Sequence, residues 1–146
     1  MGMRELPLEH ADALGKGLLD IGRASKASGV SVKMIRHYEA IGLLKQVART
    51  YANYRVYTGN DVHTLRFIKR ARTLGFAMRD VRRLLALWQD KSRSSASVKK
   101  IAAGHMQDLD RRILEMQSMV ATLRHLTHNC HGDNRPECPI LEDLAR

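Results

Sequence analysis

Two cysteines, Cys130 and Cys138, stand near the end of a 146-residue chain with seven residues between them. Sulfur at this spacing supports a disulfide across a short loop, a thiolate pair that captures a metal ion, or part of a larger metal site. A disulfide here would close only a tail loop and leave the rest of the chain unconstrained, so free thiols with a function are the better expectation. Thiolates are soft ligands, which favours Cu(I) and its relatives Ag(I) and Au(I) over Mg or Ca, whose ligands are oxygens. The number of ligands adds selectivity. Zn(II) ordinarily takes four, or three and a water, so a pair falls short, whereas linear coordination satisfies a monovalent d10 ion. His125, His128 and His131 lie close in sequence and keep a tetrahedral Zn(II) site open as an alternative. A reversible thiol/disulfide redox switch is the other.

Something must hold these thiols. Gly132, Pro136 and Pro139 forbid continued helix and predict a loop over 129–146 that ends in a short turn, Ile140 to Leu144. Immediately before it, Ala102, Met106, Leu109, Ile113, Met116, Val120 and Leu123 are spaced by 4, 3, 4, 3, 4 and 3 residues. An isolated long helix cannot bury such a stripe, so the spacing predicts a helix over 98–128 that pairs with a second copy as a coiled coil, giving a homodimer; a helix lying against its own domain shares parts of this spacing and is the alternative. The run Lys91-Ser-Arg-Ser-Ser-Ala-Ser breaks the pattern and predicts a linker over 91–97.

Residues 19–90 read as a separate, mainly helical domain. Ile21, Ala24, Ala27 and Val30 recur at three-residue steps, with Gly29 at the end of the last turn. Ser31 then suits the N-cap of a second helix, Val32 to Ile41, closed by Gly42. Two short helices around a glycine-containing turn form a helix-turn-helix pattern. The second presents Lys33, Arg36 and His37 away from Met34, Ile35 and Ile41, as a DNA-recognition helix must, because Arg pairs bidentately with guanine or clamps phosphate. Tyr51 to Tyr57 resembles a hairpin, or wing, turning near Asn53, with Arg55 flanked by Tyr54 and Tyr57; the tyrosines either contact DNA or pack the wing onto the helices. Thr58 and Asp61 predict a capping box opening a helix to Leu74, and Val81, Leu84, Leu85 and Trp88 form the apolar side of one more, with Arg79, Arg82 and Arg83 outside. Residues 1–18 have no clean period and read as an extension.

The charge is confined to the same region. Of the +10 net charge, residues 16–100 hold 19 Lys or Arg against 5 Asp or Glu, whereas residues 101–146 hold 5 against 7. A localised positive field marks a polyanion-binding surface, with double-stranded DNA the expected partner. No stretch approaches the apolar length of a membrane span and residues 1–17 have no secretory h-region, so no membrane partner and a cytoplasmic location are expected. No nucleophile, base and orienting group fall into a recognisable arrangement, which argues against an enzyme. The segment beyond the coiled coil is too short to build a drug-sized pocket.

Ile-Gly-Arg-Ala-Ser-Lys-Ala-Ser-Gly-Val-Ser, Met34-Ile-Arg-His-Tyr-Glu-Ala-Ile-Gly-Leu-Leu and Tyr54-Arg-Val-Tyr together closely resemble the MerR family of bacterial regulators, from about residue 20 to the end. The tail Cys130-His-Gly-Asp-Asn-Arg-Pro-Glu-Cys138-Pro-Ile-Leu looks like that of the copper-sensing CueR and HmrR branch. The resemblance implies a winged helix-turn-helix DNA-binding head, an antiparallel coiled-coil dimer and a metal loop near the dimer interface. It implies DNA contacts at Lys33, Arg36, His37, Tyr38, Arg49, Tyr54, Arg55, Tyr57 and Arg72. It also implies activation of metal-efflux and detoxification genes by distorting promoter DNA for RNA polymerase. In divalent-sensing relatives a further cysteine begins the dimerisation helix; here Ser95 holds that place, and Lys99, one turn on, matches a position whose positive charge balances the buried site. Asn53 stands where the family wing usually has glycine, a change that a left-handed turn tolerates.

Overall fold

The computed structural model describes residues 17–44, 48–49 and 54–146. The element order is β1 (Leu19–Asp20), α1 (Ile21–Ser28), α2 (Val32–Ala40), β2 (Ala48–Arg49), β3 (Arg55–Tyr57), α3 (Gly59–Thr73), α4 (Met78–Gln89), α5 (Ser95–His128) and α6 (Pro139–Leu144). The chain divides into two compact units, residues 1–93 and 94–146. The expected extension over 1–18 falls, except for residues 17 and 18, outside the described residues, as does the wing turn at Asn53.

In the first unit, hydroxyls and one glycine fix the path from α1 to α2. The Asp20 carboxylate accepts from the Arg23 amide at 2.8 Å and starts α1. Gly29 ends it with φ 73°, a left-handed conformation that favours glycine. The Ser25 hydroxyl donates to the Val30 carbonyl at 2.7 Å, and Ser28 Oγ accepts from the Val30 amide at 3.2 Å. Ser31 Oγ then accepts from the Met34 amide and opens α2. These short-range bonds satisfy the backbone groups that two abutting helix ends leave over.

Behind this turn, α1 packs on α3 and α3 packs on α4. Ala24, Ile35, Tyr38, Leu43, Leu44, Tyr57, Leu65, Ile68, Ala71, Val81 and Leu85 form one buried cluster. The predicted capping box opens α3: the Thr58 amide donates to Asp61 Oδ2 at 2.8 Å and the Asp61 amide to Thr58 Oγ1 at 3.1 Å. Trp88, expected on the apolar side of α4, is 42% exposed but stacks on Phe67 with ring centroids 4.9 Å apart.

The strands form one small antiparallel sheet in the order β1-β3-β2, with Leu19 opposite Tyr57, Ala48 opposite Val56 and Arg49 opposite Arg55. The two-stranded wing expected from sequence is therefore extended by β1 on its other edge. Two residues are too few for any periodicity to show, and their backbone pairing carries the strand.

The second unit is a 34-residue helix with a short helix folded back on it. At 1.5 Å per residue, α5 is about 50 Å long. Along its predicted heptad stripe, Met106, Ile113, Met116, Val120 and Leu123 are 50–62% exposed. The helix starts at Ser95, inside the span expected to be a linker, because Ser94 Oγ accepts from the Ser97 amide as an N-cap. Serine signals both linker and helix start, and here capping wins. Likewise α6 starts at Pro139 rather than Ile140, since proline is favoured at the first helical position.

Candidate nucleic-acid interface and metal centre

Helix α2 carries the exposed side chains Lys33, Arg36 and His37 on the side away from the buried Ile35 and Tyr38. Its far end is tied to the wing through Glu39. Oε2 of that carboxylate lies 2.8 Å from Arg55 Nε and accepts from the Tyr57 hydroxyl at 3.2 Å, while Oε1 lies 4.0 Å from Arg49 Nη2. Tyr57 is fully buried. That burial, followed by the charge of and hydrogen bond to Glu39, pushes the phenol well above its ordinary pKa of 10.0, so the hydroxyl is held as a donor.

Two of the DNA contacts that the resemblance implies fall on buried side chains: Tyr38 is 6% and Tyr57 0% exposed, and both pack the recognition helix and the wing onto the core. Val56 is also buried, so both faces of β3 are covered there. Lys33, Arg36, His37, Tyr54 and Arg72 are exposed and Arg49 and Arg55 half-buried, and these remain able to reach a ligand. Arg72 Nη1 donates to the Phe76 carbonyl at 2.8 Å, which steadies the turn after α3. Arg82 donates to the Ile41 carbonyl at the C-cap of α2, and Arg66 donates through Nε and Nη2 to the Ala27 carbonyl at 3.0 and 2.8 Å. Sequence reading gave neither arginine nor Glu39 a role, because their partners lie 10 to 41 residues away and no local pattern announces them.

In the second unit, Cys130 follows α5 directly and Cys138 is the N-cap of α6. Both thiols are free and half-buried. The loop between them is braced by Asp133, which accepts from the Arg135 amide at 2.9 Å and from Arg135 Nε at 2.7 Å. The Arg135 side chain, then its backbone, holds the Asp133 carboxyl below its ordinary range. Gly132 supports the bend with φ 65°. His125 is bonded to Asn129, ring nitrogen to amide nitrogen, at 3.1 Å. Among the described residues, no three His, Cys, Asp or Glu side chains gather as a metal cluster. A two-sulfur donor set with a short, braced loop fits a soft ion of low coordination number. Ser95 and Lys99 lie at the opposite end of α5 from the cysteines, about 50 Å away along the rod. One chain therefore does not bring the four residues together.

A winged helix-turn-helix head joined to a long, apolar-striped helix defines a DNA-binding regulator class. The profile described as "MerR HTH family regulatory protein" matches residues 19–88, and that described as "MerR, DNA binding" matches residues 62–126. The chain belongs to the MerR family of transcriptional regulators. It is 56% identical over 128 residues to the HTH-type transcriptional regulator HmrR of Sinorhizobium medicae, covering 88% of this chain and 87% of that one. It is 55% identical over 127 residues to heavy metal-dependent transcription regulator 2 of Rhizobium meliloti, covering 87% and 86%. Among solved structures it resembles the transcription regulator PbrR691 from Ralstonia metallidurans in complex with lead(II), with a TM-score of 0.76 and 28% identity over 86% of this chain and 98% of that one. All three of these relatives are named as transcription regulators. No helix among the described residues is long and apolar enough to cross a membrane.

Proposed function

We propose that this protein is a dimeric, metal-responsive activator of transcription that binds promoter DNA through α2 and the wing and holds Cu(I), or the chemically similar Ag(I) or Au(I), between Cys130 and Cys138. The observation that carries the metal assignment is the pair of free, half-buried thiols at the two ends of one braced loop, with no cluster of three His, Cys, Asp or Glu side chains among the described residues. The heavy-metal dependence named for the Rhizobium meliloti relative supports a metal effector. The lead(II) in the PbrR691 structure shows that a similar fold holds a divalent ion, so it is the two-sulfur set here that favours a monovalent one.

A bound ion would supply two soft bonds joining the two ends of the loop. What the chain then does follows from its own residues. Joining Cys130 to Cys138 fixes the start of α6 to the end of α5, and hence the position of Ile140, Leu141 and Leu144. The exposed stripe on α5 pairs with a second copy. If the two rods run antiparallel, Ser95 and Lys99 of one copy lie beside the cysteine loop of the other, which removes the 50 Å separation and places a cation near the anionic site. Activation requires the metal to bind the activating arrangement more tightly than the repressing one. Ordering of the loop and α6 is the proposed source of that difference, read out as distortion of promoter DNA presented to RNA polymerase.

The test is anaerobic titration of the reduced protein with Cu(I), X-ray absorption to count sulfur ligands, and a transcription reporter. Two sulfurs per ion, and loss of metal-induced transcription in Cys130→Ser and Cys138→Ser with DNA binding kept, are expected. Induction that survives in both variants removes these thiols from sensing. Four-coordinate Zn(II) binding including histidine nitrogen, or a response to oxidant without metal, would replace the monovalent assignment.

A further inference from the structure

We propose that Glu39 is the positioning residue that locks the wing to the recognition helix, so that α2 and the hairpin meet DNA as one rigid reading head. This role rests on the DNA binding proposed above.

A carboxylate is an unexpected group beside Lys33, Arg36 and His37, since a negative charge on a surface that meets phosphate lowers affinity for any duplex. The four other acids of residues 16–100 serve their own turns: Asp20 and Asp61 cap helices, Asp80 pairs with Arg83 three residues on, and Asp90 bonds Ser92. Glu39 instead reaches across to a different element. Its side chain is only 18% exposed, and it meets Arg55 Nε at 2.8 Å, the Tyr57 hydroxyl at 3.2 Å and Arg49 Nη2 at 4.0 Å. Arg49 and Arg55 face each other across the two wing strands, a pairing of like charges that weakens a hairpin unless an anion lies between them. Glu39 supplies that anion from the helix. Its ion pair with Arg55 and looser approach to Arg49 set both arginines against the end of α2 that carries Arg36, 3 residues away, and the hydrogen bond it accepts from the buried Tyr57 anchors the assembly in the core.

Positioning and simple electrostatics predict opposite signs, which makes the role testable. The full-length reduced protein selects a preferred duplex from a random pool, and affinities of the wild type, Glu39→Gln and Glu39→Asp are measured for that duplex and for an unselected duplex of equal length, across a salt series. Glu39→Gln keeps the shape and removes a negative charge, so the unselected duplex should bind as tightly or more tightly. The selected duplex should bind roughly tenfold more weakly, comparable to losing one base pair of readout. Glu39→Asp keeps the charge but shortens the reach, and should lose selectivity with unselected binding unchanged. Tightening of both duplexes by one factor in Glu39→Gln would show a merely electrostatic group and overturn the proposal. Parallel weakening of both, tracking a loss of folded protein, would show a merely structural one and overturn it too. A wild type that selects no duplex overturns the DNA reading itself, and the Glu39 role with it.

Discussion

The Tyr57 hydroxyl donates to Glu39 Oε2 across 3.2 Å and so joins the last strand of the wing to the end of the recognition helix. A hydrogen bond to a charged acceptor is worth ~1.5–3 kcal/mol net. With Arg55 still on Glu39, Tyr57→Phe is expected to cost about 1–2 kcal/mol in denaturant unfolding, without a change in the slope of the transition. The bond also carries a pH dependence. The phenol is held above its ordinary value of 10.0 in the folded chain. Below pH 10 both states keep the proton and the stabilisation is fully present. As pH rises past 10 the unfolded chain releases the proton first, and stability falls by up to about 1.4 kcal/mol per pH unit. Wild type should lose its excess stability over Tyr57→Phe between pH 10 and 11.5; a constant difference across that window would contradict the burial of this hydroxyl.

Gly29→Ala tests the turn between α1 and α2. Backbone φ there is 73°, and a Cβ would fall 2.6 Å from Lys69 Nζ. The ammonium is the far end of a flexible chain and can swing aside, so the left-handed backbone dominates, at about 1–2 kcal/mol. Gly29→Asn should cost less than Gly29→Ala, because asparagine tolerates this region. Chemical denaturation of both variants checks the order, and equal losses would shift the cause to the lysine contact.

Arg36 is the exposed arginine on α2. If it reads a base, Arg36→Ala weakens specific binding by ~1–3 kcal/mol and relaxes the preference at one position. If it holds only phosphate, the loss is uniform across sequences and the salt slope drops by about one. Binding isotherms at several salt concentrations separate the two, and unchanged affinity at every salt concentration eliminates Arg36 as a contact.

Leu123 on α5 is 52% exposed. Leu123→Asp therefore removes little from the fold of one chain but places a charge at the last position of the proposed dimer seam. Sedimentation should report a monomer with unchanged helix content, and promoter binding should fall steeply because one head alone grips a half-site. A variant that stays dimeric would place the stripe outside the interface.

Much of this protein was legible in its sequence because the signals are local. Asp20, Ser31 and the Thr58/Asp61 pair act within one helical turn, Gly29 and Gly42 adopt the left-handed conformations that end α1 and α2, and the 3- and 4-residue spacing from Ala102 to Leu123 is a property of one helix. Cys130 and Cys138 are separated by a stretch that glycine and proline keep out of helix, so the thiol loop could be read directly.

Tertiary structure decided what depends on meetings between distant segments. The sequence could not say which aromatic residues near the wing face outward: Tyr54 does, while Tyr38 and Tyr57 fill the core and Tyr57 bonds Glu39. Nor could it find Arg66 and Arg82 holding the carbonyls of Ala27 and Ile41, or the pairing of Leu19 with Tyr57 that adds β1 to the sheet. Side-chain periodicity records which face of an element is apolar, but a single charged residue in an ion pair across 16 residues of chain, as Glu39 is with Arg55, leaves no repeat to detect.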